Sequence, residues 1–181
     1  MMDSAEKKRS FDIFSPVDGL CAPLMPDSPP DRLQSAVAIE PSSGNVVAPV
    51  TGSLIYTAPT NNAFAIRTDD GFTVRVTVGE SGADPDGRGY TKVVQPGERV
   101  TVGKKVLVAD LDMLRQRNRP VLTTVYLEDR ENVERVELYE GNVIAGVSPI
   151  MSVVYSYQSP TERLRDAQRK SLARGNGAPP M

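Results

Sequence analysis

Between residues 37 and about 154 the apolar positions come in short runs of four to seven, with Gly, Pro, Asn or Asp between them. VAIE, NVVAPV, GSLIYTA, AFAIRT, FTVRVTV, KVLVAD, LTTVYL, RVELY, NVIAG and MSVVYSY follow one another in this way. Many alternate Val or Ile with Thr or a charged residue, the period of a strand with one buried face. The pattern predicts an all-β fold with one or two short helices. TDDG at 68–71 sits between two alternating runs and reads as a hairpin turn, and QPGERV at 95–100 as a Pro-Gly turn opening a strand.

Two stretches read as helical inside this region. LDMLRQRN, 111–118, places Leu111 and Leu114 on one face behind an Asp110 cap, with Pro120 as its stop. LEDRENVERV, 127–136, suggests a second helical turn. Residues 22–36 hold four prolines and read as a loop with a short turn at DRLQ. The expected organisation is a flexible segment over 1–13, one β domain over 14–156, and a tail over 157–181, part helical and part disordered. Within that tail TERLRDAQRKSLAR has few apolar positions. It reads as a solvated helix or disorder, with a basic handle for a partner or membrane as the sharper alternative.

An internal echo runs through the chain. FSPVDGLCAPL, 14–24, resembles VAPVTGSLIYT, 47–57, and GNVVAPV, 44–50, resembles GNVIAGVSP, 141–149. The echo suggests a structure built from two similar halves.

Charge excludes some partners: 21 basic and 23 acidic residues leave −2 overall, with no long-range pull of the whole chain toward nucleic acid or an anionic membrane. No apolar run approaches the length of a membrane helix, and the polar start MMDSAEKKRS lacks the apolar core of a secretion signal. The single cysteine, Cys21, permits no internal disulfide, which points to a reducing, cytoplasmic setting. The most informative count is zero histidine. It removes Ser-His-Asp and Cys-His catalysis, phosphohistidine chemistry and His-based zinc sites.

Taken together, the segments from Phe14 to Val154 resemble enzyme IIA of the glucose-type phosphoenolpyruvate-dependent phosphotransferase system. SPVDG at 15–19, VAIEPSSGNVVAPVTGSL at 37–54, TNNAFAIRTDDGFTVRVTVG at 60–79, GRGY at 87–90 and VQPGERVTVGKKVLVADLDML at 94–114 match its motifs in order. The resemblance implies an antiparallel β-sandwich or barrel of the duplicated-hybrid kind. It also implies two histidines facing each other in a shallow depression, one accepting a phosphoryl group from the carrier HPr and the other hydrogen-bonding it.

Those two positions are Asn62 and Thr77 here. Thr60 matches a threonine that orients a histidine, and Ser81 falls where the family has Asp. An amide nitrogen delocalised into its carbonyl is not a phosphoryl acceptor, and a threonine ester is too stable to hand its phosphate on. The expectation is therefore a degenerate member, probing partners through its old docking face rather than relaying phosphate. It implies no cofactor and no metal. The partners it implies are an HPr-like carrier, a sugar permease or a pathway enzyme such as glycerol kinase, which the unphosphorylated family form binds.

The family's apolar partner face corresponds to Val37, Ala38, Ile39, Val46, Phe64, Val78 and Tyr90. The competing reading for most of them is core filling, with Phe64 and Tyr90 the expected exceptions. In the loop 80–88, Glu80, Asp84 and Asp86 are candidate cation ligands set against a plain solvated loop. Arg75 either points into the depression or faces solvent. A repurposed enzyme would have to draw on Asp69, Asp70, Glu80, Asp84 and Tyr90, and an assembly subunit on the tail. Lys104 and Lys105 do not sit on the hairpin tip that a biotin or lipoyl acceptor requires.

Overall fold

The computed structural model describes residues 7–24, 35–79, 86–117, 120–128, 131–157 and 159–175. In chain order these form β1 (Lys7–Phe14), β2 (Gly19–Pro23), β3 (Ala36–Pro41), β4 (Asn45–Val47), β5 (Gly52–Thr57), β6 (Ala63–Arg67) and β7 (Thr73–Val78). Then come β8 (Tyr90–Lys92), β9 (Arg99–Val100), β10 (Lys105–Ala109), α1 (Leu111–Arg115), β11 (Thr123–Leu127), β12 (Val133–Leu138), β13 (Gly141–Val143), β14 (Pro149–Tyr157) and α2 (Pro160–Gly175). An eight-stranded sheet runs β13-β2-β3-β11-β7-β6-β5-β9, and two three-stranded sheets run β1-β14-β12 and β4-β10-β8. All the pairings are antiparallel.

The sequence echo is a spatial one. From either edge the large sheet reads edge strand, echo strand, hairpin partner, central strand: β13-β2-β3-β11 on one side, β9-β5-β6-β7 on the other. The two echo segments bond each other reciprocally, Phe14 N–H to the Pro49 carbonyl at 2.9 Å and Val47 N–H to the Pro16 carbonyl at 2.8 Å. Ser15 and Ala48 then occupy equivalent places: Gly146 N–H donates to the Ser15 carbonyl and Gly103 N–H to the Ala48 carbonyl. Gly19 and Gly52 open the equivalent strands β2 and β5 because a Cβ there would fall 2.0 and 2.1 Å from the carbonyl oxygens of Glu40 and Arg67. The approximate two-fold axis passes between β7 and β11.

The core lies between the inner face of the eight-stranded sheet and the two smaller sheets. Val37, Ile39, Leu54, Phe64, Ile66, Val74, Val76 and Val125 meet Ile13, Ile150, Met151 and Val153 there, all buried. Phe11, Phe72 and Tyr155 close one end, with the Phe72 and Tyr155 rings edge-on at 4.8 Å. Asp110 caps α1, its carboxylate accepting from Met113 N–H at 3.0 Å, and Leu111 and Leu114 are buried. The helix ends at Arg115, so it covers part of the predicted 111–118, whose last residue lies outside the described residues.

Two expectations change. Residues 7–13 are not a free segment: β1 pairs with β14 from Lys7 to Phe14, because Phe11 and Ile13 alternate with polar positions and Ile13 is fully buried. The helical turn expected at 127–136 is instead the end of β11 and the start of β12. A register shift between Val133 and Arg135 spaces Val133 and Val136 three apart, which imitates helical spacing in a strand. The DRLQ turn lies outside the described residues.

Candidate functional site

Asn62 follows Asn61, which takes a left-handed φ of 58°, in the tight connection from β5 to β6. Asn62 is 3% exposed. Its side-chain oxygen accepts from the Thr60 hydroxyl at 2.6 Å, and its amide nitrogen donates to the Val78 carbonyl at 3.4 Å. Its own carbonyl accepts from Val78 N–H at 2.8 Å. Tyr90 donates its hydroxyl to the same Val78 carbonyl at 2.9 Å, packed so closely that a Cβ on Gly79 would lie 2.8 Å from that oxygen. The amide of Asn62 therefore stitches the β5–β6 turn to the end of β7.

Thr77 is half-exposed on the outer face of the large sheet. It pairs with Thr124 on β11 on one side and Ala63 on β6 on the other, and Thr124 pairs with Ala38 on β3. A row of small side chains, Ala38-Thr124-Thr77-Ala63, thus crosses the face with the two-fold axis at its centre. The next row is large: Tyr126 pairs with Arg75, Arg75 with Ala65, and Ala65 with Tyr56. Arg75 is ion-paired with Glu128, and its guanidinium lies 5.0 Å from the centre of the Tyr56 ring, covering Ala65. Hydrogen bonding to Glu128 raises the Arg75 pKa further, so its charge is fixed. On the other side the Leu122 carbonyl accepts from Gly79 N–H at 2.7 Å. The result is a shallow trough, floored by Ala and Thr and rimmed by Leu122, Tyr126, Arg75 and Tyr56.

Asn62 is held in the buried turn by its hydrogen bonds to Thr60 and Val78, while Thr77 is half-exposed on the strand beside it. Ser81, Glu80 and Asp84 lie outside the described residues, and Asp86 is ion-paired with Arg88 at 3.1 Å. Among the described residues no three His, Cys, Asp or Glu side chains are grouped to hold a metal ion. Asp69 sits in the β6–β7 turn in a two-pronged contact with Arg99 at 2.9 and 2.6 Å, which holds its carboxyl below the usual range. Tyr90 bonds the Val78 carbonyl at the other end of β7, so Asp69 and Tyr90 do not share a site. Burial pushes the Cys21 thiol up to about 11, leaving it a protonated core group.

Of the seven side chains matched to an apolar docking face, all but Ala38 need correction. Val37, Ile39 and Phe64 have no exposed surface, Val46 and Val78 are 1% exposed, and Tyr90 is 8% exposed. They point into the core. Strand side chains alternate faces, so Val78 is inward because its neighbour Thr77 is outward, and Val37 and Ile39 are inward because Ala38 is outward. Exposed apolar groups of the outer face include Tyr56, Leu122 and Tyr126, with Leu20 farther along it on β2. Counting in twos from Thr77 along β7 puts Arg75 on this face, and the register to β5, β6 and β11 adds Tyr56 and Tyr126.

The architecture defines a duplicated antiparallel β-sandwich that carries a shallow, mostly uncharged trough on the seam between its halves. Residues 11–133 match the family described as phosphoenolpyruvate-dependent sugar phosphotransferase system, EIIA 1, and the chain belongs to that family. It is 30% identical over 151 residues to the PTS system glucose-specific EIICBA component of Streptococcus pneumoniae, covering 81% of this chain and 21% of that protein. It is 25% identical over 153 residues to the PTS system glucose-specific EIIA component of Buchnera aphidicola, covering 81% and 94% of the two chains. It thus spans about a fifth of the first relative and nearly all of the second. The solved structure of glucose permease IIA from Mycoplasma capricolum superposes with a TM-score of 0.66 at 24% identity, covering 80% of this chain and 96% of that one. That likeness bears on the fold. No helix among the described residues is long and apolar enough to cross a membrane.

Proposed function

We propose that this IIA-family protein does not relay phosphate and acts by binding proteins, as a regulator or scaffold that resembles the unphosphorylated form of the family. The observation that carries this reading is the state of the two site positions. At one, a buried amide already has structural hydrogen bonds on both of its ends. At the other, a neutral hydroxyl stands between Ala63 and Thr124 in a chain without histidine. A hydroxyl nucleophile needs a base to take its proton, and neither neighbour supplies one. The exposed Tyr126, Leu122 and Tyr56 around the trough offer aromatic and apolar contact of the kind that carries binding energy.

The docking surface is therefore the outer face centred on Thr77 and Thr124. Its partners are an HPr-like carrier, a sugar permease domain or a pathway enzyme, met in the cytoplasm. The test is binding of the full chain to HPr and to an isolated permease domain by titration calorimetry. Native protein is expected to bind at least one of them. Tyr126→Asp combined with Leu122→Asp should weaken that binding by at least about tenfold, since two apolar contacts become desolvated charges. Binding unchanged by these rim substitutions would overturn the assignment of the face.

A further inference from the structure

The C-terminal helix α2 is not used by the trough. It starts from a reciprocal cap: Ser159 N–H donates to the Glu162 carboxylate at 2.6 Å and Glu162 N–H to the Ser159 hydroxyl at 3.3 Å. Pro160 stands at the first helical position. The helix leans on the body by one side only. Asp166, Ala167 and Lys170 line a polar cleft of about 380 Å3 opposite Arg67, Glu131 and Tyr155. Asp166 is half-buried, while the other side chains described on α2 are exposed. A 16-residue helix with so little packing draws little stability from the core.

The side turned away from the cleft has a definite chemistry. At 100° per residue, Thr161, Leu164, Arg165, Gln168, Arg169 and Leu172 share it, and both acidic residues of the helix fall outside it. Leu164 and Leu172 are 66% and 74% exposed. From Pro160 to Gly175 the sequence holds five basic and two acidic residues, whereas the whole chain is net negative.

We propose that α2 is a docking element for an anionic phospholipid surface, laid flat through the stripe Leu164-Arg165-Arg169-Leu172. A protein groove would want apolar anchors on successive turns, and these leucines stand eight residues apart with no aromatic between them. A nucleic-acid backbone would use the arginines and leave the leucines exposed. A bilayer surface uses both, cations at the headgroups and leucines at the acyl boundary. Each cation near an anionic bilayer strengthens binding about fivefold. The inference is independent of the trough.

The test is sedimentation of the full chain with vesicles of phosphatidylcholine alone or containing phosphatidylglycerol. Binding is expected only to the second kind and should fall as salt rises. Arg165→Glu with Arg169→Glu should weaken it at least about 25-fold, and Leu164→Asp with Leu172→Asp comparably. Arg88→Glu, an exposed charge reversal on the body, should leave it unchanged. Circular dichroism of each variant reports whether α2 remains helical. No binding to anionic vesicles, equal binding to neutral ones, or equal loss in Arg88→Glu would overturn the proposal. So would an acidic protein held through α2 when vesicles are not.

Discussion

Asn62 and Thr77 stand fifteen residues apart and hold the two positions on which a phosphoryl relay depends in the resembling family, yet their surroundings differ in kind. Asn62 is buried in a turn, with both ends of its amide hydrogen-bonded, so it serves as a structural stitch. Thr77 lies on the outer sheet face, paired with Thr124 on one side and Ala63 on the other. The comparison teaches that two nearby positions can answer to different demands. A buried position needs a replacement that satisfies the groups around it, whereas a surface position accepts any small neutral side chain.

Substitutions on the two faces of the large sheet should break or sharpen that contrast. The largest effect is expected from Phe64→Ala, which empties a fully buried site and should cost about 3–5 kcal/mol in urea unfolding. Tyr126→Ala on the outer face should stay within about 1 kcal/mol. A large loss at Tyr126 would mean that the outer face is structural rather than free to dock. Next, Asn62→Ala should cost about 1–3 kcal/mol, because it leaves the buried end of the Thr60 hydroxyl bond unmade. Thr77→Ala should change stability by less than about 0.5 kcal/mol. Equal effects at the two positions would remove the distinction drawn between them.

The smallest effect concerns the residue behind the trough floor. Thr123 pairs with Val78 and Ile39 and points into the core, and its hydroxyl has no hydrogen-bond partner among the described residues. Thr123→Val keeps the shape and removes the unsatisfied group, so it should raise stability by about 1 kcal/mol. A loss of stability would show that the hydroxyl is satisfied, for example by buried water.

Much of this architecture was legible in the chain. Short alternating runs between turn residues gave the strands, and the repeated PV-x-G segments foretold the two interlocked halves that bond each other through Phe14 and Val47. The order of motifs pointed to the family. What misled was parity. The family's docking motif spans Val37, Ala38 and Ile39, yet neighbours on a strand point to opposite sides, and Phe64 and Tyr90, the expected exceptions to core filling, are buried as well. The stretch around Val133 and Val136 read as helical because a bulge interrupts its alternation. The true rim of the trough, Tyr56, Leu122, Tyr126 and Arg75, comes from three separate strands. Only the register across those strands brings it together, and no local pattern carries that information.

The central claim is that this IIA-family chain cannot carry a phosphoryl group on its trough. The most direct test is incubation of the native chain with phosphoenolpyruvate, enzyme I and HPr, followed by intact mass measurement, with HPr phosphorylation confirmed in the same tube. The account predicts an unchanged mass. A gain of one phosphoryl group, mapped by fragmentation to Thr77 or to any other residue of the trough, would contradict it.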